Sequence, residues 1–355
     1  MKYALIGCGR VSKNHIKAAT LNDLEIVALC DIIPEKAQKL IADFSLSDVK
    51  IFTDYKKMIS ETKPDFVAIA TDSGIHAEIA IYCAENKINF IVEKPIAMSI
   101  QDADKIIEIV EKNNVTACVS HQNRFNIAVQ HLHNAIETDR FGKISHGSIN
   151  IRWHRGDDYY TAENWRGKWA SDGGTLMNQC IHGIDLLSWM LGEEVDEVYG
   201  MTNNAFHKCI EGEDIGVAVI RFKNGAVATV EGTVNCFEDF EQTLTIFGEN
   251  GTVRLGGHYA NKVDTWRFSD NLPEDDETLA VDEKAKNVYG NGHTSLYSDF
   301  IYSIENNRKP YVDLYVGKRA IEIVLAIYKS QKTGLPVKFP LKEFASIDMT
   351  GEFDK

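Results

Sequence analysis

Residues 1 to 120 alternate short apolar runs with amphipathic stretches, and this alternation is the strongest constraint on the fold. A parallel sheet wrapped by helices produces that rhythm, because each strand is buried on both faces and each helix on one. Tyr3 to Ile6, Glu25 to Cys30, Phe66 to Ala70, Phe90 to Val92 and Thr116 to Ser120 are the predicted strands. Between them, Val11 to Thr20, Pro34 to Phe44, Ile75 to Asn86 and Ile100 to Asn113 carry helical spacing. The texture changes after Arg124. Ile144 to Trp153, Val195 to Thr202, Ile215 to Phe222, Ala226 to Val234, Gln242 to Phe247 and Thr252 to Leu255 read as strands of an antiparallel sheet. Asn224-Gly225 and Asn250-Gly251 supply the positive φ of tight hairpins. Val316 to Thr333 reads as a closing helix, stopped by Gly334-Leu335-Pro336, and the acidic stretch Pro273 to Glu277 as a solvated loop. A chain of 355 residues exceeds one core. We expect two domains, 1–120 and 121–355.

The first strand runs into Gly7-x-Gly9-x-x-Ser12 and then a helix, and the second strand ends at Asp31. Glycines let a backbone approach a pyrophosphate, a helix N-terminus favours its charge, and the acidic residue bonds both ribose hydroxyls. A 2'-phosphate would meet the Asp31 carboxylate, and Ile32-Ile33-Pro34 offers no arginine to neutralise it, so NAD is expected over NADP. The alternative for Asp31 is a cap on the following helix. Lys94, in Glu93-Lys94-Pro95, follows the run Phe90-Ile91-Val92. Ligands of open α/β sheets sit beyond the carboxyl ends of the strands, and the proline keeps Lys94 out of the helical region. Its ammonium is therefore expected to reach both cofactor and substrate.

A second signal begins at Gly173-Gly174 and ends at Gly192, a predicted helix. At about 100° per residue, Asn178, His182 and Asp185 fall within roughly 60° of one another. They form a polar stripe without lysine or glutamate between Thr175 and Leu191. A buried stripe of this kind needs polar partners, which a substrate with several hydroxyls supplies.

The formal net charge of −14 argues against nucleic acid or an anionic membrane as partner, and no apolar run reaches a membrane span. Seven scattered cysteines without a C-x-x-C pair argue for a reducing cytoplasm and against structural zinc. His131-x-His133 lacks ligand spacing, no G-x-S-x-G elbow is present, and no metal is expected.

Gly7-x-Gly9, Glu93-Lys94-Pro95 and the Gly-Gly helix with His182-x-x-Asp185 resemble the glucose-fructose oxidoreductase, inositol dehydrogenase and rhizopine catabolism (Gfo/Idh/MocA) family over essentially the whole chain. The family pattern has an aspartate four residues before the histidine, where Asn178 stands. That departure, with Gln122-Asn123-Arg124, Tyr159-Tyr160, Trp165-Arg166-Gly167-Lys168-Trp169 and Val288-Tyr289-Gly290-Asn291-Gly292-His293, resembles the UDP-N-acetyl-2-amino-2-deoxyglucuronate 3-dehydrogenase branch. The resemblance implies an N-terminal Rossmann domain, a C-terminal α/β domain with a large, mostly antiparallel open sheet, and a homotetramer or homodimer. It implies NAD bound by Gly7, Gly9, Arg10, Val11, Asp31, Ala70, Thr71, His76, Glu93, Lys94 and Gln122.

The implied substrate is a small-molecule nucleotide sugar, met by Lys94, Arg124, Arg155, Tyr160, Trp165, Arg166, Asn178, His182 and His293. Oxidising a secondary alcohol needs a proton acceptor, and His182 titrates in the right range, while Lys94 can stabilise the developing alkoxide or act as base itself. Asn178 is expected to orient hydroxyls. Asp185 orients His182, bonds a hydroxyl or packs the helix. Arg152, Arg155, Arg166 and Lys168 form a local cationic cluster suited to a diphosphate and a carboxylate, and Tyr159 and Tyr160 stack on the ligand or pack internally. Another sugar or polyol dehydrogenase of the family, an NAD-dependent glycoside hydrolase and a silent NAD or sugar sensor are the competing expectations; retention of both Lys94 and His182 counts against the sensor.

Overall fold

A computed structural model describes residues 1–284 and 292–354. Its contacts divide into two compact units. The first comprises Met1–Ala97, Gln101–His121 and Gly292–Lys318; the second comprises Met98–Ile100, Gln122–Asn291 and Arg319–Lys355. Thus 292–318 lies with the nucleotide-binding segment.

Six parallel strands form the first unit's sheet: β1 (Lys2–Ile6), β2 (Glu25–Cys30), β3 (Lys50–Phe52), β4 (Phe66–Ile69), β5 (Asn89–Val92) and β6 (Ala117–Val119). Their spatial order is β3-β2-β1-β4-β5-β6, so the strand order reverses beside β1 and β4. That switch point opens a crevice above the carboxyl ends of the strands. Tyr3, Ala4, Leu5, Phe66, Val67, Phe90 and Ile91 are fully buried, as strands covered on both faces require. Three elements escape the sequence pattern, one of them helix Gly292–Glu305. β3 is a three-residue edge strand, and helix Tyr55–Thr62 begins at Asp54, whose carboxylate accepts from the Lys56 and Lys57 N–H groups.

The second unit carries eight strands: β7 (Ile144–Arg152), β8 (Val195–Asn203), β9 (Ile215–Phe222), β10 (Val227–Thr233), β11 (Glu241–Gly248), β12 (Gly251–Gly256), β13 (Lys262–Phe268) and β14 (Val337–Lys338). Their order is β13-β12-β11-β7-β10-β9-β8-β14. Every neighbouring pair is antiparallel except β7 with β10, which run parallel in the middle. The fold is the expected mixed α/β class. Both hairpins form, but only Gly225 has a positive φ, +91°, while Gly251 starts β12 in ordinary strand geometry. β13 and helix Ile127–Glu137 are additional to the predicted elements.

Helix Ile181–Leu191 packs against β7 and β11, and Gly183 fits there because a Cβ would sit 2.9 Å from Ile149 and Ile151 side-chain carbons. The helix stops at Gly192, φ +107°. Pro273 to Glu277 is not a bare solvated loop: Asp275 begins the short helix Asp275–Leu279 and accepts from Arg140 at 2.9 Å and from the Trp266 indole at 2.7 Å. No helix among the described residues is long and apolar enough to cross a membrane.

Candidate active site

The nucleotide end of the first unit is built from a turn that tolerates only glycine. Gly7 has φ +94°, donates its N–H to the Cys30 carbonyl at 2.8 Å, and would drive a Cβ into the Ala70 carbonyl. Gly9 has open space where a Cβ would stand. Ser12, in place of the third glycine, is fully buried and returns its hydroxyl to the Gly9 carbonyl at 2.5 Å. Helix Ser12–Leu21 follows with no side-chain cap on its first turn, leaving amide donors for an anion. Asp31, just past β2, accepts from the Cys8 and Ile33 N–H groups, each at 2.8 Å. It therefore braces the glycine turn and the segment entering the next helix without capping that helix, and its carboxylate stands at the end of β2. The empty cradle at Gly9, the open helix end and this carboxylate fit NAD. Arg10 is exposed and Val11 and Thr71 are half-buried around the same turn.

Glu93 and His76 are both buried in polar contacts within the first unit. Glu93 is buried, and its Oε1 lies 3.1 Å from His15 Nε2 and 3.5 Å from His293 Nε2. Burial alone would raise its pKa, but the two histidine hydrogen bonds hold it well below the usual carboxylate range. His76 is buried with Nδ1 2.8 Å from the Pro95 carbonyl and Nε2 3.3 Å from the Thr71 carbonyl. Burial lowers its pKa, so the ring is neutral and donates through one nitrogen, Nδ1 by the shorter distance. The Lys94–Pro95 peptide is cis, and Lys94 itself is half-buried.

His293, expected among the substrate-binding residues, stands in this buried group in the first unit. The ligand atoms of His15, Glu93 and His293 lie within 4.8 Å of one another, a grouping that no local spacing announces. Val288 to Asn291 of the same motif lie outside the described residues.

In the second unit the Gly-Gly segment leads into a π turn, Leu176–Cys180, before helix Ile181–Leu191. The uniform wheel that aligned Asn178 with His182 and Asp185 therefore does not hold, because a π turn spreads five residues over wider geometry. Gly174, φ +87°, has no room for a Cβ, which would overlap the Glu213 carboxylate. Glu213 is fully buried and receives the Leu176 N–H at 2.7 Å, so it anchors the start of the π turn. The Tyr328 hydroxyl lies 2.6 Å from the Gly173 carbonyl and 2.8 Å from Glu213 Oε1. One hydroxyl proton cannot serve both oxygens. A protonated Glu213 resolves the conflict, and burial indeed pushes its pKa up to about 8.

Asn178 donates its amide to buried Asp172, which also accepts the Gly167 N–H at 2.6 Å. Gln179 donates to Asn178 at 2.8 Å and to the Tyr159 hydroxyl at 2.9 Å, and accepts from Arg155 at 3.2 Å. Arg166 hydrogen-bonds the same Tyr159 hydroxyl and lies 4.1 Å over the Tyr159 ring and 4.5 Å over Trp165. Arg155, Tyr159, Trp165, Arg166 and Asn178 are thus one connected network, and His182 stands half-buried on the adjoining helix. Asp172 and Gln179 were not singled out from sequence, although their nearness to Asn178 offered a signal.

Other candidates are committed elsewhere. Arg124 and Asp185 form a buried bidentate pair at 2.8 and 2.7 Å, with the guanidinium 4.3 Å over Trp189. Arg152 leaves the cationic cluster for Glu231 and Glu241 on neighbouring strands. Tyr160 is buried against Tyr159 and His207 rather than displayed for stacking. Lys168 is exposed, and Gln122 lies buried in the second unit.

A glycine turn at a helix N-terminus with an acidic residue ending the second strand, together with a second α/β unit, defines an NAD-binding oxidoreductase. Residues 1–121 match the model for the oxidoreductase family, NAD-binding Rossmann fold, and 133–339 match that for the oxidoreductase family, C-terminal alpha/beta domain. The chain belongs to this Gfo/Idh/MocA family and is an NAD-dependent sugar or polyol dehydrogenase. It is 34% identical to the WlbA dehydrogenase of Bordetella pertussis, solved with NADH and UDP-GlcNAcA, covering 96% of this chain and 99% of that one at a TM-score of 0.87. The WlbA dehydrogenase of Chromobacterium violaceum, solved with the same two ligands, is 32% identical over 96% of each chain at 0.88. The myo-inositol 2-dehydrogenase of Thermotoga maritima is 24% identical over 95% of this chain and 98% of its own.

Proposed function

We propose that the chain oxidises the C3 hydroxyl of UDP-N-acetyl-2-amino-2-deoxyglucuronate to the 3-keto sugar, with NAD as acceptor, in surface polysaccharide biosynthesis. The observation that carries this reading is Asn178 bonded to Asp172, a neutral amide held where the wider family pattern has an aspartate. The end-to-end likeness to two dehydrogenases solved with UDP-GlcNAcA supports it. NAD, when bound, supplies the hydride acceptor. His182 takes the hydroxyl proton, Lys94 hydrogen-bonds the reacting oxygen, and Asn178 orients ring hydroxyls. Arg155 and Arg166, stiffened by Tyr159 and Trp165, provide the cations for the acid groups of the substrate.

A free-sugar or polyol substrate is the second reading, favoured by inositol and apiose dehydrogenases among the relatives. Mixing protein, NAD and the UDP-sugar acid, with and without 2-oxoglutarate, separates the two. Growth of reduced-nicotinamide absorbance with a product two mass units lighter supports the first. An untouched UDP-sugar beside oxidised inositol or apiose supports the second.

We also infer a homodimer or homotetramer. Tyr199, Val217, Val219 and Val227 are exposed on one face of the large sheet, an apolar surface that a second copy would cover.

A further inference from the structure

Glu93 stands immediately before Lys94, and both of its oxygens are engaged. Oε1 faces His15 and His293, and Oε2 accepts the Lys94 backbone N–H at 3.3 Å. One oxygen facing two imidazole nitrogens fixes the proton positions: each Nε2 donates to the carboxylate. Burial lowers the pKa of His293, which keeps that ring neutral, while Glu93 stays ionised. On its other side His15 Nδ1 lies 2.7 Å from the Tyr297 hydroxyl, which in turn lies 3.0 Å from the Tyr3 hydroxyl. The hydrogen-bonded chain therefore runs Tyr3, Tyr297, His15, Glu93, with His293 reaching the same carboxylate. The elements involved are β1, the helix after the glycine turn, helix Gly292–Glu305 and the end of β5. On the far side of Lys94, His76 donates to the Pro95 carbonyl at 2.8 Å.

We propose that His15, His293 and Glu93 are positioning residues for Lys94: they hold a carboxylate charge beside it and, with His76, clamp the Glu93-Lys94-Pro95 turn from both ends. The inference rests on the role given to Lys94 under Proposed function. Its physical content is twofold. The clamp fixes where the lysine side chain starts, and a misplacement of about 1 Å can cost about 100-fold in rate. The neighbouring anion favours the ammonium form, so it raises the pH at which Lys94 loses its proton.

The test reads Lys94 directly. Acetic anhydride labelling of Lys94 is followed by mass spectrometry across pH, in the wild type and in Glu93→Gln, His15→Phe, His15→Gln and His293→Phe, each checked by melting temperature and NADH binding. Glu93→Gln is nearly isosteric and keeps the experiment alive if a histidine variant fails to fold. The labelling midpoint is expected to fall by about half a pH unit or more in Glu93→Gln, since a unit charge at a partly screened distance has that effect. The two phenylalanine variants should move it in the same direction, and His15→Gln, which restores an N–H donor, should bring it part of the way back. Turnover of the UDP-sugar acid should drop about tenfold or more in the same variants with NADH affinity retained.

Folded variants whose labelling midpoint and pH–rate profile match the wild type would overturn the proposal. Lys94→Ala separates the two claims. Full turnover in Lys94→Ala would remove the catalytic role of the lysine even if the midpoint shifts appear, whereas lost turnover with unmoved midpoints would remove the cluster's role and leave the lysine's.

Discussion

Asn178 gives its amide to Asp172, and that partner explains why an aspartate would fail at this position. Asn178→Asp would set carboxylate against carboxylate, and the pair could be accommodated only by sharing a proton. We expect turnover to fall sharply at pH 8 and to recover partly toward pH 6, opposite to the profile of a histidine base; a pH-independent loss would show that charge repulsion is not the cause. Asp31 carries a second prediction. Asp31→Ala should erode the preference for NAD over NADP, measured as the ratio of kcat/KM values, because the carboxylate that repels a 2'-phosphate is gone. An unchanged ratio would locate ribose recognition elsewhere. The glycine turn, Lys94 and Asn178 were legible because each is a local signature. The His15, Glu93 and His293 group was not, since its members stand on three separate elements and only the fold brings them together.

Among the elements, the π turn Leu176–Cys180 depends on a carboxyl group that is neutral near pH 7. The folded pKa of Glu213, about 8, lies above its ordinary value of 4.5. Its contribution to stability is therefore complete below pH 4.5, is eroded as the unfolded chain ionises, and has gone once the pH passes 8. Glu213→Gln keeps the hydrogen-bonding shape without the titration. Its melting temperature should decline less than that of the wild type between pH 5 and pH 8; parallel curves would mean that Glu213 is ionised in the fold. Gly174→Ala should destabilise by about 2 kcal/mol or more, from positive φ and overlap with Glu213, as read by denaturant midpoint. A helix through 173–192 was legible in the sequence, but the π turn inside it was not. Its first residue, Leu176, is anchored by Glu213, which lies beyond helix Ile181–Leu191 and β8 in the chain, so no local pattern announces the contact.

For the whole molecule, the alternation of apolar runs and helical stretches marked the parallel sheet of the first unit, and strand runs marked six strands of the second, while the parallel β7–β10 pairing and edge elements such as β3 and β14 escaped. β13 does not alternate cleanly: Val263 is buried on one side of a register shift against β12 and Trp266 and Phe268 on the other, and this irregularity with its charged residues concealed the strand. The exposed apolar face of the large sheet sets the molecular-scale prediction. Val219→Lys, at the centre of that face, should lower the mass measured by sedimentation equilibrium without lowering helix content; an unchanged mass would place any interface elsewhere.

The return of residues 292–318 to the first unit has a consequence for synthesis on the ribosome. Helix Gly292–Glu305 packs against helix Ser12–Leu21 and brings Tyr297 and Phe300 into the core beside Tyr3 and Phe66. The nucleotide-binding unit is therefore begun first and completed near the end, after seven of the eight strands of the large sheet, all but β14, have emerged. A nascent chain released at residue 121 would expose the apolar surface that this late helix covers, making it a substrate for chaperones rather than an independent NAD-binding module.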